Sequence, residues 1–223
     1  DLVLVVVPPA TRTSFAIAAR DTVAGSAPGV TMAALQPPPA PPRASIALKI
    51  LVDCSGSMAG DSIASARRAL HGALESLTAH DQISISRFGS TVEHVAAPRA
   101  RTPRALRELE AIVDAIDADM GGTEMQQALE AVFRLTPPEG RPDADVLLIT
   151  DGEIWQTDSL IASAQASRHR LFAIGVGSSP AHALLRSMAE ATGGACEFAT
   201  PGEALEAAAG RMLTRIRQEP WRD

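Results

Sequence analysis

The sequence predicts an α/β fold: a doubly wound, mostly parallel central sheet flanked by helices on both faces, with a short N-terminal β extension. Three observations predict it. From residue 45 onward, almost continuously apolar runs ("SIALKILV", "DVLLIT", "RLFAIGVG") read as strands buried on both faces. Between them lie segments whose apolar residues recur at helical spacing, and strand–helix alternation on this scale packs as parallel strands with crossover helices. The first 36 residues differ, with apolar runs broken by Pro and Gly that read as short strands.

Taken in order, residues 1–36 carry apolar runs at 2–7, 15–19 and 30–35. "QPPPAPPR" (36–43) is a stiff, extended connector, and the domain boundary falls there. The division is therefore a β extension (1–36), a Pro-rich connector (37–44), the main domain (45–217) and a tail (218–223). Residues 45–52 form the first strand of that domain. A helix follows with Ile63, Ala66, Leu70, Leu74 and Leu77 on one face, and Asp61 or Ser62 placed to cap it. "QISISRF" (82–88) alternates as a strand, and "TVEHVA" (91–96) is its hairpin partner. Leu106, Leu109, Val113 and Ile116 mark a second helix; Met125, Leu129 and Val132 mark a third, ended by Pro137-Pro138. Strand "DVLLIT", a helix over 160–167 and strand "RLFAIGVG" come next. Leu184, Leu185 and Met188 then mark a helix, "ACEFA" (195–199) an edge strand, and 205–216 the last helix.

At 223 residues, 46% of them hydrophobic, the chain can bury a substantial core. Its net charge of −6, with both signs interspersed, offers no basic face for nucleic acid. No apolar run reaches the roughly 20 residues of a membrane helix. Lys49 is the only lysine among 20 basic residues, a bias that points to a GC-rich genome. Cys54 and Cys196 match no zinc or redox spacing, and the five histidines are scattered. "GVGSSP" (175–180) lacks the third glycine of a dinucleotide loop, and no G-x-S-x-G is present. Opening on Asp1, the chain reads as an excised fragment, so a missing targeting signal says little about its parent.

In doubly wound sheets, ligands bind outside the carboxyl ends of the strands. Three segments there carry oxygen donors: Asp53, Ser55 and Ser57 after the first buried strand, Thr123 in "ADMGGTEM", and Asp151 in "TDGE". Singly, each has an ordinary explanation: a helix cap for Asp53 or Thr123, turn chemistry for Ser55, Ser57 and Asp151. Together, two carboxylates and three hydroxyls form an all-oxygen set suited to a hard divalent cation, Mg²⁺ foremost, with Mn²⁺ or Ca²⁺ as alternatives. Neutral hydroxyl ligands would leave the ion much of its charge, and an open position could accept a carboxylate from another molecule.

"DCSGSM", "GGTEM" and "TDGE", in this order and on these elements, resemble the von Willebrand factor A domain. The likeness covers about residues 45–217, and its D-x-S-x-S…T…D pattern is the metal-ion-dependent adhesion site. The resemblance implies a Rossmann-like fold and a non-enzymatic protein-binding module. In it, Mg²⁺ held by Asp53, Ser55, Ser57, Thr123 and Asp151 bridges to an acidic group of a partner protein. It also implies that the hydroxyls contact the metal directly, the aspartates directly or through water, and that in some members occupancy is coupled to the last helix. The N-terminal strands and prolines resemble the end of a VIT segment, as in the inter-α-trypsin inhibitor heavy-chain branch, with a bacterial source expected. Glu124, Glu153 and Trp155 are candidates for a partner rim, which Asp61 and Asp119 make acidic. Alternatives are an accessory subunit of an AAA-type chelatase and, less favoured, a metal-assisted hydrolase, for which the site loops supply no histidine base. The cell envelope or secretion is the favoured location; partner identity and oligomeric state are not legible.

Overall fold

Each predicted strand and helix that falls on described residues is present. The computed structural model describes residues 14–20, 29–35, 42–136, 144–151, 157–176, 182–199 and 205–219. The chain divides into two units, 1–41 and 42–223. In the first, β1 (Ser14–Arg20) and β2 (Gly29–Leu35) pair antiparallel, Ser14 opposite Leu35. The strand expected at 2–7 lies outside the described residues.

The second unit runs β3 (Ala47–Asp53), α1 (Asp61–Ser76), β4 (Gln82–Phe88), β5 (Val92–Ala100), α2 (Pro103–Asp114), α3 (Met125–Arg134) and β6 (Ala144–Thr150). It continues with α4 (Thr157–Ser167), β7 (Leu171–Val176), α5 (His182–Ala191), β8 (Ala195–Ala199) and α6 (Leu205–Arg217). Sheet order is β5-β4-β3-β6-β7-β8. Every pairing is parallel except β4 with β5, the hairpin joined by a tight turn. Among the described residues, no helix is long and apolar enough to cross a membrane.

Side-chain alternation along β3 divides its residues between two faces, and helices cover both. Leu48, Ile50 and Val52 pack with α1, α2 and α6 through Leu70, Leu74, Leu109, Val113, Met212 and Ile216. On the other face, Leu51, Val146 and Leu148 pack with α3, α4 and α5 through Leu129, Val132, Leu160, Leu185 and Met188. The near-continuous apolarity of β3 and β6 follows from this two-sided cover, since all seven residues of each strand are buried.

Three local expectations are corrected. Gly60, not Asp61 or Ser62, is the N-cap of α1, because its φ of +78° turns the chain out of the preceding loop; Asp61 instead lies in the first helical turn, where its charge favours the helix dipole. Helix α2 stops at Asp114, so Ile116 packs into the core from the segment after it. Helix α3 stops at Arg134, ahead of the prolines.

The single lysine is the least expected feature. Lys49 lies inside β3 on the α3–α5 face and is buried. Its ammonium donates to the carbonyls of Val132 (3.0 Å) and Phe133 (3.2 Å) at the end of α3, and sits 2.8 Å from His169 Nε2. His169 Nδ1 is 2.9 Å from the Ser167 carbonyl, which fixes the tautomer: Nδ1–H donates there and Nε2 accepts from Lys49. A cation at the carbonyl end of a helix is well placed electrostatically. Two buried aspartates close the same end of the sheet. Asp145 takes Arg43 and Arg170, and Asp81 takes Arg217 together with the amides of Ile46 and Thr78. Residues 42 and 218, which bridge each other, are thereby fastened at the rim opposite the carboxyl ends of the parallel strands.

Candidate metal centre

Asp53 is the last residue of β3 and is fully buried. The chain then leaves the sheet through Ser55 and a short 3-10 turn, Gly56–Met58, before α1 begins. Asp53 Oδ1 accepts the Ser55 amide at 2.9 Å, and Oδ2 accepts the Thr150 hydroxyl, from the neighbouring strand, at 2.5 Å. Ser55 Oγ and Ser57 Oγ are 3.1 Å apart, and Ser57 Oγ donates to Asp151 Oδ1 at 2.8 Å. Four of the five residues singled out in the sequence are therefore linked across the ends of β3 and β6: Ser55, Ser57 and Asp151 by oxygen–oxygen contacts, and Asp53 through the Ser55 amide. Ser57 is exposed, Asp151 half-buried and Ser55 buried, so the cluster opens to solvent on the Ser57 side.

Thr123 arrives differently. It is half-buried and makes no side-chain hydrogen bond among the described residues. Its loop, however, is tied to the β3 loop by main-chain bonds. Met120 N donates to Cys54 O (2.9 Å), and Gly56 N donates to Gly121 O (2.8 Å). Gly121 holds φ at +78°, a left-handed conformation that favours glycine. The helix cap expected as an alternative for Thr123 is excluded, because the N-cap of α3 is Glu124. Glu124 is exposed at the rim, as are Asp61, Asp117 and Asp119. Arg87 reaches that rim but is engaged by Glu93 (2.8 Å) and Asp119 (3.1 Å). Glu153 and Trp155 lie outside the described residues. Cys54 is fully buried in the core, and burial pushes its thiol up to about 12.

Burial raises the Asp53 carboxyl above its ordinary value, against the pull of hydrogen bonds from Ser55 and Thr150. Burial also raises Asp151, opposed by the Ser57 hydroxyl and reinforced by the charge of Asp53. Two carboxylates at the adjoining ends of β3 and β6 form a site that a cation relieves. Among the described residues, no three His, Cys, Asp or Glu side chains are grouped to hold a metal, so a cation here needs the hydroxyls as well. Their spacing fits. Adjacent oxygens of an octahedral shell at about 2.1 Å lie about 3 Å apart. The Ser55–Ser57 and Ser57–Asp151 separations, 3.1 and 2.8 Å, match two such edges.

Residues 46–198, the span that carries this sheet and site, match the von Willebrand factor type A domain family. The chain belongs to that family. Domains of this type are typically protein-interaction modules. A von Willebrand factor A domain-containing protein of Dictyostelium discoideum is 32% identical over 151 residues, 66% of this chain and 16% of that protein. Human von Willebrand factor A domain-containing protein 5A is 31% identical over 180 residues, 75% of this chain and 23% of that protein. The chain thus spans less than a quarter of the length of either relative. Among solved structures, a von Willebrand factor type A protein from Catenulispora acidiphila superposes with a TM-score of 0.67 at 22% identity, over 78% of this chain and 43% of that one. Proximal thread matrix protein 1 of the mussel byssus, solved with a zinc-occupied MIDAS motif, gives 0.63 at 16%, over 79% and 46%. These two likenesses establish the fold.

Thr150 escaped the sequence reading. The sequence shows only that "VLLIT" ends on a hydroxyl; the parallel register of β3 and β6 is what sets it beside Asp53.

Proposed function

We propose that this A domain binds a divalent cation, Mg²⁺ foremost, through Asp53, Ser55, Ser57, Thr123 and Asp151, and bridges it to a carboxylate of a partner protein. The observation that carries this reading is the run of contacts Ser55–Ser57–Asp151, spaced like two octahedral edges and joining the loop after β3 to the residue after β6. A bound cation would supply a Lewis-acidic, incompletely neutralised charge at the rim. Ser55, Ser57 and Asp151 would hold it, Asp53 would brace the Ser55 loop, and Thr123 has a hydroxyl left for it. The mussel protein with zinc at its motif supports a metal at this place in the fold.

The module works by binding and performs no chemistry on its partner: no histidine stands on its three site loops. The acidic rim of Asp61, Asp117, Asp119 and Glu124 favours a partner whose carboxylate sits within a basic surface. The prolines at 37–42 and the β1–β2 pair before them support placement in the VIT–A-domain branch.

Thermal unfolding in Mg²⁺, Mn²⁺, Ca²⁺, Zn²⁺ or EDTA, on wild type and Asp53→Ala, tests the cation. Binding to the folded state raises the midpoint with concentration, by about 2.7 kcal/mol of stability at a hundredfold excess over Kd. A rise lost in the variant is expected; no rise with any of the four ions at millimolar concentration overturns the reading.

A further inference from the structure

Thr150 is fully buried at the carboxyl end of β6 and belongs to none of the three motif segments' ligand positions. Its place is set by the sheet. Strands β3 and β6 run parallel with Val52 opposite Ile149, so continuing the register sets Asp53 beside Thr150. Alternation puts both on the face of Leu51, Val146 and Leu148, under α3, α4 and α5. Across that step the hydroxyl donates to Asp53 Oδ2 at 2.5 Å, while the Ser55 amide donates to Oδ1 at 2.9 Å.

The two donors come from different elements and hold different oxygens. One alone would leave the carboxylate free to turn about its Cβ–Cγ bond, a broad, roughly two-fold torsion. Both together define the plane of the group and leave each oxygen one further lone pair. Asp53 in turn holds the amide of Ser55, whose hydroxyl starts the run to Ser57 and Asp151. The orientation of the buried carboxylate is therefore decided by a neighbouring strand as well as by its own loop.

We infer that Thr150 is a positioning residue of the cation site: its hydroxyl fixes the Asp53 carboxylate, and through it the Ser55 loop, in the arrangement that receives the ion. The inference rests on the cation reading above. Groups that orient ligands in this way typically change metal affinity about 10- to 100-fold when removed.

Mn²⁺, whose free form is counted by its electron paramagnetic resonance signal, is the probe, titrated into wild type, Thr150→Val and Thr150→Ser. Valine keeps the shape of threonine and removes the hydroxyl; serine keeps the hydroxyl and removes the methyl. Expected is an affinity about 10- to 100-fold weaker in T150V and restored to near wild type in T150S. A role in packing alone predicts the reverse, with the methyl-deleted serine the more disturbed. Should T150V fail to fold, Thr150→Ala is read against T150S in the same titration. Wild-type affinity in the hydroxyl-less variant overturns the inference and leaves the cation site standing. No Mn²⁺ binding by wild type overturns both.

Discussion

Replacing Lys49 by Met measures how far the one ammonium of the fold is withdrawn from water. Methionine keeps an unbranched apolar stem within β3 and removes the charge. Burial lowers the Lys49 pKa from 10.5 to about 8. The unfolded chain keeps the ordinary value, so between pH 8 and 10.5 it binds more protons than the folded one, and wild-type stability rises with pH across that window. At about 1.4 kcal/mol per pKa unit, the buried charge costs the folded protein about 3 kcal/mol at pH 7 and about 1 kcal/mol at pH 10. The advantage of K49M over wild type should therefore shrink by about 2 kcal/mol over that range. This is an upper figure, because Phe133 and His169 around the ammonium are only half-buried. The background is favourable: the chain has no other lysine and no tyrosine. Cys54 and Cys196, both pushed up to about 12 by burial, titrate alike in the two proteins and cancel. Urea unfolding of both at pH 7, 8, 9 and 10, in EDTA, gives the difference directly. A difference that stays constant with pH refutes the claim that the ammonium is desolvated.

Three further outcomes follow from the same geometry. Burial alone would raise the Asp81 carboxyl, but Arg217, the amides of Thr78 and Ile46 and the Thr78 hydroxyl together hold it below its ordinary value. The stability it confers is thus present above the unfolded pKa of about 3.9 and lost as pH falls through the lower folded value. Asp81→Asn should cost about 3 kcal/mol at pH 7 and unfold with a shallower acid limb, followed by circular dichroism against pH. His169 is held below 6.5 by burial and by the Lys49 charge, so the unfolded chain takes up its proton first and stability falls as pH drops below 6.5. His169→Leu should show a flatter profile between pH 6.5 and 5 than wild type in urea titrations. A Cβ on Gly89 would overlap Met120, whose amide is bonded to Cys54 beside the site. Gly89→Ala should lower stability by about 1–3 kcal/mol and weaken Mn²⁺ binding, read by thermal unfolding with and without the ion.

What the chain makes legible locally is its order of elements and most of its site. The almost continuously apolar runs at 45–52 and 145–150 carry their meaning alone, because a strand covered on both faces needs no alternation. Asp53, Ser55, Ser57 and Asp151 could be grouped in advance because parallel strands align their carboxyl ends, and the structure brings these four into contact. Thr123 was legible as a candidate, and only its loop is seen tied to the others. Three things needed the tertiary structure. Asp53 meets Thr150 through the register of strands 97 residues apart, which no local pattern specifies. The N-cap of α1 passes to Gly60 because the loop must turn with positive φ there, against the preference of the acid that follows. Lys49 is buried in a strand because partners from α3 and the segment before β7 converge on it. Propensity and periodicity are properties of neighbours along the chain. The satisfaction of a buried charge is a property of neighbours in space, and only the folded sheet chooses those.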